Sequence, residues 1–314
     1  MRALLDHRLA PAVAIAVILL LLPLVFPSTY YYRIAALVFI FALASLGLNL
    51  LMGFAGQVSL GHAGFLGIGA YAVAIGATHL GLPCWLSILG GAALSGLIAF
   101  TVGRPILQLK GQYLAVATLG LGLLVAIVLT NEAAWTGGPD GMLVPHLVLF
   151  GFPLHGPRAW YWIGGVTFVI GTALALNLVD SPMGRALQAI HDSEVASRML
   201  GIDVARQKLA IFVISAIYAS VAGSYLALLN ELVTPDVSGF LRSIELVAMV
   251  VLGGMGSVVG SLVGAALLVG LPQVLTAFQD YEQIVLGLVM MAMMIFLPSG
   301  IVPGLASRLS QWRR

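Results

Sequence analysis

Charge is what this 314-residue sequence has least of: 14 basic and 12 acidic residues, or 8% of the chain. An ordinary soluble domain carries about 25%. Cysteine is almost absent. Cys84, the single one, excludes an intrachain disulfide framework and reads as a small apolar filler near a helix end. The histidines (His7, His62, His79, His146, His155, His191) show no H-x-x-x-H or similar metal-ligand spacing, so no metal site is expected. Neither a G-x-x-x-x-G-K-[ST] loop nor a Rossmann glycine pattern occurs, so the chain offers no nucleotide or other cofactor site. A Ser/His/Asp constellation and a carboxylate pair at catalytic spacing are both missing, which speaks against an enzyme. A net charge of +2 implies no polyanionic partner such as nucleic acid.

What is abundant is apolar surface, 61% of residues. No Asp, Glu, Lys or Arg occurs in 9–32, 34–103, 111–131, 159–179, 209–230, 246–279 or 283–307. About 20 helical residues cross a ~30 Å hydrocarbon layer, so each block holds at least one span. The expected fold is all-α: a polytopic integral membrane protein with about eight to ten transmembrane segments, some broken or re-entrant, and a possible internal repeat. Residues 1–314 read as one transmembrane domain.

Breaks at Gly, Pro and charge clusters predict helices over 9–27, 33–52, 63–80, 83–103, 112–130, 159–179, 210–230, 244–276 and 281–298. The apolar run Leu9–Phe26 exceeds a usual signal-peptide core and lacks an A-x-A-like cleavage site, so it reads as a retained first helix. The 244–276 piece is long for one span and carries Gly253-Gly254-Met255-Gly256, which predicts two shorter segments. With both termini inside, Arg2, Arg8, Arg104, Lys110, Arg185, Arg198, Arg206, Lys208, Arg308, Arg313 and Arg314 fall on the cytoplasmic side. Arg33, Arg158 and Arg242 then fall outside, as the positive-inside rule requires. Charged residues, Glu132, Glu245 and Glu282 among them, are expected near interfaces, and Tyr30–Tyr32 with Trp160–Trp162 as interfacial aromatics.

Three stretches carry mechanism. The inner loop 180–209 concentrates Asp180, Arg185, Asp192, Glu194, Arg198, Asp203, Arg206 and Lys208. Ser181-Pro182 opens one short helix, Asp192 or Ser193 caps another, and Gly201 ends it. Met183, Leu187 and Ile190 share a face of the first; Ala196, Met199 and Leu200 share one of the second. Such a segment lies on the membrane surface or docks a cytoplasmic subunit; mixed charge favours docking. The stretch Asn49–Gly64 places Asn49, Gln57, Ser59 and His62 among glycines inside a charge-free block. These polar side chains are candidates for lining a solute route; the alternative is helix packing for the glycines and a satisfied interhelical hydrogen bond for Gln57. Gly253–Gly264 partly echoes its glycine spacing in the other half. The outer loop 131–158 contains Thr136-Gly137-Gly138-Pro139-Asp140-Gly141, a tight-turn sequence.

Together these residues resemble the permease subunits of ABC importers for branched-chain amino acids, more specifically the LivM type. The resemblance runs along nearly the whole chain. It is strongest at Gly47-Leu48-Asn49-Leu50, Gly53-x-x-Gly56-Gln57-x-Ser59-Leu60-Gly61-His62 and Gly69-Ala70-Tyr71. It continues at Thr136–Gly141, Ser181-Pro182-Met183-Gly184-Arg185-Ala186, Lys208–Phe212 and Leu252–Ser257. The resemblance implies a pore shared with a second, related permease in the cell membrane. It also implies two cytoplasmic ATPases that bind the ATP and an extracytoplasmic substrate-binding protein. Carried onto this chain, it assigns ATPase coupling to the loop bearing Arg185, Asp192, Glu194, Ala196, Arg198 and Gly201, with Glu194, Ala196 and Gly201 near the EAA-type signature. The binding protein would meet the outer loop with Gly137, Gly138, Asp140 and Gly141. Urea and short-chain amide importers have similar permeases and are the nearest alternative; an ion-coupled carrier is the alternative from another class.

Overall fold

A computed structural model describes residues 10–109, 111–149, 152–154 and 156–274, with short pieces between 287 and 305. The expected span 281–298 lies largely outside the described residues. So do Arg2, His7, Arg8, Lys110, His155, Glu282, Arg308, Arg313 and Arg314.

The chain folds as helices in the order α1 (Ala10–Leu21), α2 (Thr29–Asn49), α3 (His62–Thr78), α4 (Cys84–Ile106), α5 (Gln112–Asn131) and α6 (Ala133–Thr136). Then come α7 (Pro157–Val179), α8 (Pro182–Asp192), α9 (Glu194–Met199), α10 (Val204–Asn230), α11 (Phe240–Gly253) and α12 (Val258–Val274). Short strands β1 (Met142–Leu143) and β4 (Leu232–Val233) pair antiparallel, as do β2 (Leu147–Leu149) and β3 (Phe152–Leu154). Among the described residues, five helices are long and apolar enough to cross a membrane: α2 with its continuation to Phe54, α4, α5, α7 and α10. The shorter apolar helices are Ala10–Leu24, His62–Thr78 and Val258–Gln273. The multi-pass helical membrane architecture read from the sequence is therefore the observed one.

α2 and α10 form the core. From Phe39 to Met52 every side chain on α2 and its continuation is buried, whereas α4 and α5 bury only narrow stripes of mostly small residues. Small residues let α3 and α10 cross in backbone contact: a Cβ on Gly69 would sit 1.9 Å from Ser220 O, and one on Gly223 1.8 Å from Leu66 O. In lipid, where burying apolar surface drives no association, such close van der Waals packing is what holds helices together. Tyr161 departs from its expected interfacial place. It is fully buried among Phe26, Tyr32 and Phe39, and its hydroxyl donates to Leu19 O at 2.6 Å.

Polar contacts identify the two ends of the bundle. At one end Arg33 Nη2 donates to Asn230 Oδ1 (3.1 Å), Tyr30 reaches Gln273, Arg158 lies over the Tyr32 ring, and β1 pairs with β4. At the other lie 180–203, the end of α4, and the breaks after α2 and α11. α10 begins six residues before its expected start at 210, because its first turn tolerates charge. Asp203 accepts from Arg206 N at 3.1 Å as N-cap, and buried Lys208 pairs with Glu194.

Candidate translocation route and coupling surface

α2 does not stop at Asn49. It widens into a π-helical turn, Leu50–Phe54, and the chain then runs without regular structure to Gly61, where α3 starts. Gly56 makes the bend possible. Its φ is +64°, and a Cβ there would lie 2.5 Å from the His191 ring, so this segment touches the end of α8. Gly61 packs as tightly on α5: a Cβ would meet Thr118 O at 1.8 Å.

The polar residues of this stretch are all buried. Asn49 holds the α11–α12 break: its Nδ2 donates to Ser257 O (2.7 Å) and Ser261 Oγ (3.1 Å), and its Oδ1 accepts from Gly256 N (2.9 Å). Gly53 abuts the same place, a Cβ on it falling 2.1 Å from Gly256 N. The two glycine-rich breaks noted in the sequence thus meet in space. Ser59 and His62 belong to a chain across three helices: Ser59 Oγ to His62 Nδ1 (3.3 Å), His62 Nε2 to Ser215 Oγ (2.6 Å), and Ser215 Oγ to Gly47 O (2.6 Å). Ser215 has one proton and Gly47 O can only accept, so His62 Nε2 is the donor to Ser215 and its Nδ1 accepts from Ser59. Gln57 differs. It is 2% exposed, and neither end of its amide meets a protein partner.

The 180–209 segment folds as read, by side-chain caps: Ser181 accepts from Gly184 N at 3.2 Å and Ser193 from Ala196 N at 3.3 Å. A hydroxyl at such a position satisfies an otherwise orphan helical amide. Gly201, at φ +81°, follows the last turn of α9. Leu187 and Ile190 anchor α8 inward, with Met183 beside them. Arg185 turns back to Asp180 O at 3.0 Å, and Asp192 and Arg198 are exposed. Glu194 holds Lys208 and, at 3.8 Å, Arg198. The outer end of this arm is apolar. Val195, Met199 and Leu200 are 67, 85 and 79% exposed, and Ala196 is exposed beside them. An adjoining cleft of about 720 Å³ is lined by Phe100, Arg104, Arg198, Asp203, Arg206 and Leu209.

At the opposite end, Gly137, Gly138 and Gly141 all take positive φ, and a Cβ on Gly137 would lie 2.0 Å from Gly141 O. This compact turn is tied down where Thr136 Oγ1 donates to Leu129 O (2.7 Å) and accepts from Gly138 N (3.1 Å). Asp140 is exposed beside it. The glycines shape the loop; Asp140 presents a charge.

Sequence reasoning misplaced two charges. Arg242 and Glu245 are not at an interface. They form an ion pair near the start of α11, and Arg242 Cζ lies 5.2 Å over the ring of Phe41. Phe41 is twelve residues into α2, about 18 Å along its axis from Thr29. The cause is a fold of the chain before α11. Pro235–Ser238 dips between α3 and α5, a Cβ on Gly67 would lie 2.5 Å from Ser238 Cβ, and Ser243 Oγ accepts from Ala63 N at 3.2 Å. α11 therefore begins at mid-depth. The signal was the Pro235–Gly239 turn sequence ahead of an i,i+3 Arg/Glu pair, which starts the helix at 240 rather than 244. At the far end of the helix the expected break is present: α11 ends at Gly253, α12 starts at Val258, and the two pack as a hairpin, a Cβ on Gly264 meeting Met249 O at 1.9 Å.

Comparison with known proteins identifies this architecture. Residues 30–294 match the family described as branched-chain amino acid transport system, permease component. The high-affinity branched-chain amino acid transport system permease protein LivM of Salmonella typhimurium is 36% identical over 294 residues, 86% of this chain and 69% of that protein. LivM of Escherichia coli is 34% identical over the same shares. LivH of E. coli is 26% identical over 287 residues, 83% of this chain and 91% of that protein. No solved structure matches. The chain belongs to the family of permease components of branched-chain amino acid transport systems.

Proposed function

We propose that this chain is one of two related permease subunits enclosing the translocation path of an ABC importer for branched-chain or similar apolar amino acids. Two cytoplasmic ATPases supply the energy, and an extracytoplasmic binding protein delivers substrate at the 131–158 and 231–234 end. The α8–α9 arm carries this reading: its inner face is anchored, its apolar tip is exposed, and its His191 lies against Gly56. Met199 and Leu200, with Val195 and Ala196, enter an ATPase surface. Arg185, Asp192 and Arg198 set the charge around them, Glu194 and Lys208 hold the arm on α10, and Gly201 lets it turn. Among the described basic residues, Arg104, Arg185, Arg198, Arg206 and Lys208 lie at the arm's end and Arg33 and Arg158 at the other. That bias supports a cytoplasmic arm, and the expected inside position of both termini goes with it.

Movement of the arm reaches the 55–61 segment through Gly56. Asn49, Ser59 and His62 hold the frame of the inner gate, and Gln57, whose amide has unused hydrogen-bonding capacity, lines the route when the gate opens. The ion-coupled carrier keeps one observation in its favour, because Arg242 and Glu245 lie at mid-depth. One experiment separates the readings: purify the tagged chain with its co-purifying subunits and measure leucine and urea uptake into proteoliposomes with and without ATP. ATP-dependent leucine uptake is expected; absence of any ATPase partner, or uptake without ATP, overturns the importer. Gln57→Ala should reduce uptake severalfold, and unchanged uptake would remove Gln57 from the route.

A further inference from the structure

Arg242 and Glu245 occupy a depth at which a charged surface cannot face lipid. The Arg242 guanidinium stacks on Phe41 of the core helix α2 (5.2 Å), and the next residue, Ser243, receives Ala63 N from the first turn of α3. Yet the two side chains are 33 and 49% exposed. Charges at the hydrocarbon midplane face a water-filled cavity or a protein partner. Beside them on α11, Phe240, Leu241 and Ile244 are 42, 74 and 38% exposed. This face is therefore a charged pair flanked by apolar side chains.

The pair is satisfied within one helix by i,i+3 spacing, so it needs no countercharge from another subunit. Arg242 Nε is buried without a hydrogen-bond partner. The first-turn amides of α11 have no side-chain cap, which adds positive potential next to the guanidinium. We propose that Arg242 and Glu245 are a mid-membrane station for the zwitterionic head of an α-amino acid, whose apolar side chain lies against Phe240, Leu241 and Ile244. The guanidinium fork takes the α-carboxylate, and the Glu245 carboxylate takes the α-ammonium. The internal ion pair is exchanged for two intermolecular ones, so the bound state stays neutral and no proton is moved. The head group is common to all amino acids, so the station reads the zwitterion and leaves side-chain choice to its apolar neighbours and to the binding protein. An uncharged solute such as urea has no use for it. This inference rests on the importer reading.

The test uses the complete transporter (both permeases, ATPases and binding protein) in proteoliposomes, with radiolabelled leucine as probe. R242Q and E245Q should each lower ATP-driven uptake at least tenfold while binding-protein-stimulated ATP hydrolysis stays within about twofold of wild type. The exchanged variant R242E/E245R should assemble and remain as slow, because it restores the internal pair but moves the guanidinium one helical turn deeper. Uptake within twofold of wild type in both single variants overturns the station. Recovery of uptake in the exchanged variant makes the pair a structural bridge and overturns it too. Loss of stimulated ATP hydrolysis alongside uptake assigns the pair to the conformational machinery, with the same consequence. A wild-type transporter without ATP-driven leucine uptake overturns the importer reading, and the station with it.

Discussion

Asn49 and Gly56 show what single residues contribute. Asn49 has no exposure and engages both ends of its amide across a gap of more than 200 residues. Asn49→Ala would leave Gly256 N and Ser257 O without that partner, at about 1–3 kcal/mol for each group left buried and unsatisfied. We expect a lower unfolding midpoint in detergent, and a midpoint unchanged within error would contradict the staple. Gly56→Ala adds left-handed strain of roughly 1–2 kcal/mol to a direct clash with His191. It should slow transport without removing the ATPases from the complex, and co-purification with uptake measured on one preparation checks both. A polar residue in a charge-free block stands out as having a partner or a function, and that much of Asn49, Gln57, Ser59 and His62 was legible. Which partner was not, because Ser257, Ser261 and Ser215 are distant in sequence and look like ordinary helix serines. Arg242 and Glu245 were misread for a related reason: sequence gives the position of a charge along the chain, and depth follows only once Pro235–Ser238 is seen to fold inward.

Elements were more legible where their ends are local. Ser181 and Ser193 cap α8 and α9 by bonds to residues three positions on, which is information carried within each segment; Asp203 caps α10 in the same way, ahead of the start expected at 210. Gly253–Gly256 broke the long apolar stretch where the sequence implied. The outward direction of Met199 and Leu200 was not legible, because shared spacing on a helix says which residues lie together and not what they face. Placed on that exposed tip, Met199→Asp together with Leu200→Asp should leave folding intact, since neither side chain is buried in this chain. It should cut ATPase co-purification at least tenfold. Retention of the ATPases at wild-type level would move the docking surface elsewhere. Reversing Glu194 is a poorer probe, because it strands the buried ammonium of Lys208 and damages the arm itself.

At the scale of the whole molecule, α2 and α10 are enclosed by the rest of the bundle, and the described charges divide between its ends apart from the Arg242–Glu245 pair. Topology is testable directly: a reporter fused after Arg314 should be active only in the cytoplasm, and an extracytoplasmic signal would invert the assignment of both ends. The apolar blocks made the membrane class plain, because hydrocarbon tolerates little else, whereas the order in which helices surround α2 depends on glycine contacts between distant segments. The mid-depth start of α11 also bears on how the protein is made. α11 has 14 residues, about 21 Å of helix, and carries two charges in its first two turns. That is too short and too polar to partition into a bilayer unaided. It needs α12 as the second arm of a hairpin, and α2 and α3 already in place to receive it. During biosynthesis, then, the last part of the pore is completed by docking onto an assembled scaffold rather than by independent insertion. A ribosome-stalled chain whose emerged portion ends before α12 should leave α11 open to labelling from water, and one extended past α12 should protect it.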